Sequence, residues 1–428
     1  MTDLLAQPLK LPCGATLPNR LCKAAMTEGL ADPQLRATDR LANLYRRWSE
    51  GGAGLLLTGN VQIDRRVLER PGNVAIDGNG GIEQLKAWAR AGTIGGNHLW
   101  MQISHAGRQS PRYVVSHPVG PSDVQLDLLG NYGRPRALTE AEILDFIQRF
   151  AKVATVARET GFTGVQIHSA HGYLLSSFLS PITNRRSDAW GGSIENRSRF
   201  LIETIRATRK AVGADFPIAV KLNSDDFRKG GFTHEDCLQV VQLLNGEGID
   251  LLEISGGTYE QPRLLGFEGR AQDATPLRES TRKREAYFLE YAAAIRQRAS
   301  IPLMVTGGFR TREGMESALQ SGECDVIGLA RPLCTHVDVP KLLLSGELRE
   351  LPKFEQQLVM ARKGLFSPTS PVLLLKLINV LGGQGWYYQQ IFRLADNQPP
   401  ALGRGVFAAF LRYWWDELGT ALKLRLAR

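Results

Sequence analysis

The sequence predicts an α/β fold, a (β/α)8 TIM barrel with an N-terminal hairpin and a helical C-terminal extension. Three observations carry this expectation. Short apolar, β-branched runs recur along the first 330 residues. Segments of helical periodicity separate them. Eight such alternations can be counted, and eight is the number that closes a barrel. An open doubly wound sheet is the competing architecture. No G-x-G-x-x-G follows the first run, so the dinucleotide crevice of that fold is unsupported.

In chain order, Leu9–Leu17 with Gly14 as its turn reads as a hairpin closing the bottom of the barrel. The candidate strands are Leu21–Met26, Gly54–Thr58, Leu99–Ser104, Gly164–His168, Ile218–Asn223, Leu251–Ser255, Pro302–Thr306 and Val326–Leu329. The amphipathic segments between them are Ala37–Glu50, Ile82–Gly92, Ala141–Thr160, Glu195–Val212, Glu235–Gly246, Glu285–Arg298 and Arg312–Ser321. Thr139-Glu140-Ala141-Glu142 has the capping-box pattern that starts a helix. The last unit ends near Glu350. The expected division is therefore a barrel over 1–350 and a basic, aromatic-rich, mostly helical extension over 351–428. In the extension, Pro-containing loops lead to Gly383-Gln384-Gly385-Trp386-Tyr387-Tyr388, and a helical stretch runs from Val406 to Arg428.

A content of 43% hydrophobic and 22% charged residues is that of an ordinary soluble protein. Met1-Thr2-Asp3-Leu4-Leu5 lacks the basic start and apolar run of a signal peptide. The apolar run Val372–Leu381 is interrupted by Lys376 and is too short to span a bilayer. A cytoplasmic location is expected. None of the five cysteines forms a C-x-x-C pair, which argues against a zinc ribbon or an iron–sulfur cluster and fits a reducing compartment. The net charge is +9, and residues 351–428 hold ten Lys/Arg against four Asp/Glu, so they supply +6 of it. That excess reads as a solvated basic face or as attraction to anionic lipid or another acidic partner. No recognised nucleic-acid motif accompanies it, so nucleic acid is not an expected partner.

The strand ends carry the candidate chemistry. Ile167-His168-Ser169-Ala170-His171-Gly172-Tyr173 follows the buried run Gly164-Val165-Gln166-Ile167, and a strand end is where a parallel α/β protein places its site. Two neutral imidazoles can each donate to one oxygen, and a phenol can give up a proton. This suggests polarisation of a carbonyl and protonation of the neighbouring carbon. Metal binding through H-x-x-H is the alternative, though no third ligand is evident. Gly307-Gly308 after the seventh strand and Arg331 after the eighth suggest a phosphate site, since that is where this barrel commonly holds one. A cofactor anchored there would cross the barrel mouth. Gln102 could pair with a ring edge, Lys221 could face a negatively charged reduced ring, and Thr27 could donate to a ring oxygen. Alternatively, Gln102 satisfies a core contact, Lys221 pairs with a carboxylate, and Thr27 caps a turn. Jointly the three suit a flavin.

The runs Ile167-His168-Ser169-Ala170-His171-Gly172-Tyr173-Leu174-Leu175, Phe178-Leu179-Ser180-Pro181, Asn184-Arg185-Arg186-Ser187-Asp188 and Trp190-Gly191-Gly192-Ser193 resemble the signature of the Old Yellow Enzyme flavin oxidoreductases. Asn19-Arg20, Ala24-Ala25-Met26-Thr27, His105-Ala106-Gly107-Arg108, Ser255-Gly256-Gly257-Thr258-Tyr259 and Gly328-Leu329-Ala330-Arg331-Pro332 support it. The resemblance covers roughly residues 5 to 345. It implies a TIM barrel holding FMN non-covalently. The backbone of Ala25 and Met26, the Thr27 hydroxyl, Gly59 and Gln102 would meet the isoalloxazine. Lys221 would lie near its N1–C2=O side, and Gly308, Ala330 and Arg331 at the phosphate.

The resemblance also implies that NADH or NADPH reduces FMN and that an α,β-unsaturated carbonyl receives the hydride at its β-carbon. His168 and His171 would hold its oxygen and Tyr173 would protonate the α-carbon. Lys221 stands where Arg is usual, and Thr27 where some relatives have Cys. The cysteine cluster and nucleotide domains of relatives that process dienoyl thioesters or amines have no counterpart in the sequence. The tail beyond Glu350 matches nothing in the family pattern. The competing reading is a membrane-associated or partner-binding flavoprotein with weak or lost ene-reductase activity. Peripheral membrane contact or homo-oligomer contact would then run through the aromatic and basic tail.

Overall fold

The computed structural model describes residues 3–128, 130–257 and 289–427. Thr258 and Tyr259 of the family-like runs lie outside these residues, as does the start of the expected helix Glu285–Arg298. Eight strands form a closed parallel barrel: β1 Leu21–Lys23, β2 Leu55–Leu57, β3 His98–Ser104, β4 Gly164–Ser169, β5 Ile218–Asn223, β6 Leu251–Ser255, β7 Leu303–Thr306 and β8 Val326–Leu329. Each pairs with the next, and β8 pairs with β1. Nearly every residue of these strands is buried. A strand covered on both faces must be apolar on both, which is why these strands read as continuous hydrophobic runs.

Alternate residues point inward. Cys22, Leu55, Trp100, Ala219, Leu251, Met304 and Val326 fill the lower barrel. The hairpin pairs Leu9–Lys10 with Thr16–Leu17, and its Leu11 and Leu17 pack on this inner layer as a plug. The outer faces meet the helices α1 Asp39–Glu50, α2 Ile82–Gly92, α3 Glu140–Glu159, α4 Leu174–Leu179, α5 Ile194–Val212, α6 His234–Leu244, α7 Leu289–Arg296, α8 Arg312–Gln320 and α9 Val339–Ser345. The capping box holds at α3. Thr139 Oγ1 accepts from the Glu142 N–H, and Glu142 accepts from the Thr139 N–H at 2.9 Å.

The extension departs from the sequence reading in one element. Helix α10, Leu373–Ala395, runs through Gly382, Gly383 and Gly385, where no helix was expected; α11 is Val406–Leu426. Glycine disfavours an isolated helix by about 1 kcal/mol. Here close packing overrides that cost. A Cβ at Gly382 would fall 2.5 Å from the Val406 carbonyl oxygen, and one at Gly385 would fall 2.6 Å from Tyr413 Cβ.

Both helices are tied to the barrel. Arg40 of α1 forks onto Asp396 at 2.6 and 2.9 Å. Arg70, in a loop above β2, is buried against Glu417 of α11, with its Nε 2.9 Å from Oε1. Its guanidinium also lies 3.9 Å over the Tyr388 ring, and Tyr113 donates to the other Glu417 oxygen at 3.1 Å. Among the described residues, no helix is long and apolar enough to cross a membrane.

Candidate active site at the barrel mouth

Strand β4 delivers His168 to the mouth, and the chain then turns back on itself. His171 has φ +62° and Gly172 φ +81°. The left-handed region is strained for an ordinary side chain, and this turn brings the His171 ring to 5.2 Å from the His168 ring, edge to face. Tyr173, at the N-terminus of α4, sets its ring 4.8 Å from His168, again edge to face.

Hydrogen bonds orient both imidazoles. His168 Nδ1 accepts from the Ala170 N–H at 3.2 Å, so in the neutral ring Nε2 carries the proton. His171 Nε2 bonds with Ser255 Oγ at 2.7 Å, and its backbone N–H donates to Asn223 Oδ1 at 3.0 Å. Burial first, then the neighbouring His171 and Lys221, hold His168 well below the usual imidazole range. Burial and Lys221 do the same to His171. Both rings are therefore neutral at pH 7; His168 presents its Nε2–H, and His171 presents an Nδ1–H when Ser255 Oγ donates to its Nε2.

His105, at the β3 end, points elsewhere. Its ring lies 4.8 Å from Phe146 of α3, and burial pulls its pKa down to about 4. A histidine whose folded pKa is depressed contributes stability fully present above its unfolded value near 6.5 and lost as the pH falls toward 4. Melting temperature should therefore fall across that window. His105→Gln should flatten the decline, and an unchanged slope would assign the effect to other groups.

Below the histidines lies a buried polar chain across four strands. Gln102 Nε2 donates to Gln166 Oε1 at 2.7 Å, and Gln166 Nε2 donates to Glu253 Oε2 at 2.8 Å. Glu253 Oε1 meets Lys221 Nζ at 2.8 Å. Strand register explains the contacts, since Gln102 is opposite Gln166, while Lys221 is opposite both Glu253 and His168. Of the alternatives set out for Gln102 and Lys221, the core contact and the carboxylate pair are realised, on side chains that lie directly beneath the mouth. Sequence reasoning missed Glu253 and Gln166. The available signal was a polar residue at an inward position of a strand, which needs a partner when buried.

The remaining predicted residues follow other strand ends. Ala25, Met26 and Thr27 come after β1, and Gly59 comes after β2. The Gly59 N–H donates to Glu28 Oε1 at 2.9 Å, and a Cβ there would run into Glu28 and the Met26 carbonyl. Gly307 and Gly308 follow β7 with φ +96° and +86°, and the space beside Gly307 is open. Ala330 and Arg331 follow β8. Arg331 is exposed and makes no hydrogen bond or ion pair from its guanidinium among the described residues.

Met26, Thr27, Ala330 and Arg331 line a cavity of about 710 Å³ whose opposite wall is the extension, including Tyr387 and Tyr388 of α10. Nothing in the sequence pointed to this cavity. The tail has no repeat or motif that ties it to the mouth.

The model of the NADH:flavin oxidoreductase / NADH oxidase family matches residues 4–347. The chain belongs to this family. Among its relatives, this flavin oxidoreductase is 37% identical over 365 residues to the NADH-dependent flavin oxidoreductase iliE of Hypocrea jecorina (strain QM6a), covering 80% of the chain and 90% of the relative. It is 34% identical to the NADH oxidase of Thermoanaerobacter brockii, covering 78% of the chain but only 50% of that protein.

Solved neighbours include a 2-naphthoyl-CoA reductase (TM-score 0.74, 28% identity, 81% of this chain and 53% of that one). Another is the old yellow enzyme homologue from Zymomonas mobilis (TM-score 0.68, 25% identity, 86% and 99%). The protein is thus a flavin oxidoreductase with FMN as cofactor and NAD(P)H as donor. Its residues fit that cofactor. Two left-handed glycines, with open space beside Gly307, and the Arg331 guanidinium, which has no hydrogen-bond or ion-pair partner among the described residues, stand at adjacent strand ends, the chemistry that a phosphate group requires. The family match stops at 347, so α10 and α11 lie outside it.

Proposed function

We propose that this flavin oxidoreductase reduces the C=C bond of a small α,β-unsaturated carbonyl compound. The observation that carries the reading is the neutral His168–His171 pair with Tyr173 edge-on beside it. FMN, when bound, supplies hydride transfer from the reduced nicotinamide to the β-carbon. The protein's part is to bind, orient and protonate. His168 and His171 donate to the carbonyl oxygen and stabilise the charge that develops on it. Tyr173 gives its proton to the α-carbon as general acid. The backbone of Ala25 and Met26, with Thr27, Gly59 and Gln102, would hold the ring, and Lys221 would supply a cation to it. Gly307, Gly308, Ala330 and Arg331 would hold the phosphate.

Purified protein should be yellow, bleach under anaerobic NADH or NADPH, and recolour with enones. Bleaching without recolouring by any of a panel of enones would defeat the enone reading while leaving the flavin assignment standing. His168→Ala with His171→Ala should abolish the binding of phenols, followed by the spectral shift of the flavin. Undiminished binding would remove the pair from the carbonyl site. A second reading makes contact with a membrane or another copy of the chain the defining role. Its support is the exposed apolar surface of α11.

A further inference from the structure

Helix α11 has a buried inner face and an apolar outer face. Its inner face buries Ala409, Glu417, Ala421 and Leu424 against the barrel loops and α10. Its outer face exposes Phe407 (53%), Leu411 (54%), Trp415 (76%), Leu418 (53%), Leu422 (58%) and Leu426 (80%). The spacing of four, four, three, four and four residues keeps these on one stripe, roughly 100° wide and roughly 30 Å long at 3.6 residues per turn and 1.5 Å per residue. Scattered exposed leucines need no explanation, but a continuous stripe of six large apolar side chains does.

The flank of the same helix carries the second observation. Arg412, Asp416, Thr420 and Lys423 line a polar cavity of about 380 Å³ shared with α1 and α10. Six cations and three carboxylates contribute to it. Three cations are neutralised there, in the pairs Arg40–Asp396, Arg70–Glu417 and Arg412–Asp416. Three are left over. Arg393 donates to the Pro399 carbonyl and Arg404 to Gln389, both neutral acceptors. Lys423 makes no side-chain hydrogen bond or ion pair among the described residues. On the other edge of the stripe, Arg425 reaches the Tyr113 carbonyl.

We propose that α11 is a membrane-docking helix. It lies flat on an anionic lipid surface, with the stripe among the acyl chains and the cavity of Arg393, Arg404 and Lys423 receiving a headgroup phosphate. An in-plane helix with Trp, Phe and Leu on one face and Lys/Arg beside it binds by apolar burial together with attraction to anionic lipid. Charge selects this occupant over a second copy. Lys423 on one side of the stripe and Arg425 on the other have no carboxylate partner among the described residues, so two copies meeting through it would bring like charges together.

The test uses full-length, FMN-loaded protein in flotation with vesicles of phosphatidylcholine alone or with one third phosphatidylserine. Binding is expected to the anionic vesicles only, and to weaken as salt is raised. Trp415→Glu with Leu422→Glu should lower it about tenfold or more, because each removes a large apolar side chain that the docked helix would bury among the acyl chains. Lys423→Glu should weaken it less. All these variants should keep wild-type reduction by NAD(P)H in solution, which separates lost docking from lost folding. Absence of vesicle binding, or equal binding to neutral vesicles, overturns the proposal. So does a dimer in solution that Trp415→Glu converts to a monomer without any vesicle binding, which would assign the stripe to a second copy.

Discussion

Tyr173→Phe should leave bleaching by NAD(P)H intact and slow recolouring by an enone by about 10²-fold or more, the loss expected for a missing general acid. Tyr173 is buried and its ring packs edge-on against His168. Phenylalanine keeps that ring contact and removes only the hydroxyl. Rapid mixing separates the two half-reactions. An effect confined to recolouring, with phenol binding retained through His168 and His171, assigns the proton to Tyr173. Equal rates in both half-reactions would move the proton source to water or another group.

Glu417→Ala should lower stability by about 3–5 kcal/mol, since it leaves a buried guanidinium without its partner. Arg70 and Glu417 are both almost wholly buried, and Tyr113 loses its acceptor in the same change. The double replacement Arg70→Met with Glu417→Leu should recover most of that loss, because two apolar side chains have no charge to desolvate. Urea unfolding of the three proteins measures this. A loss below about 1 kcal/mol in the single variant, typical of an exposed pair, would mean that water reaches the site and that α11 is not firmly seated.

What the sequence could tell depended on how local each signal was. The barrel strands were legible because burial on both faces leaves an unbroken apolar run between turn residues. Capping at Thr139 was legible because its two hydrogen bonds close within four residues. His168, His171 and Tyr173 were legible because one turn carries all three. Helix α10 was not, since its glycines are placed by contacts with Val406 and Tyr413, far along the chain. The Glu253–Gln166 link was hidden for the same reason, being set by register between strands 87 residues apart. The wall that α10 contributes beside Met26 and Thr27 is likewise set by distant contacts, among them Arg40 with Asp396 and Arg70 with the Tyr388 ring.

Lys221 and Glu253 have a consequence for anything bound above them. A lone lysine would present the field of a single charge, reaching well into the mouth. Tied to Glu253 at 2.8 Å, it presents the field of a dipole, which fades faster with distance and depends on direction. Lys221 therefore acts on its immediate neighbours, and charge that develops farther across the mouth is met by a nearly neutral floor.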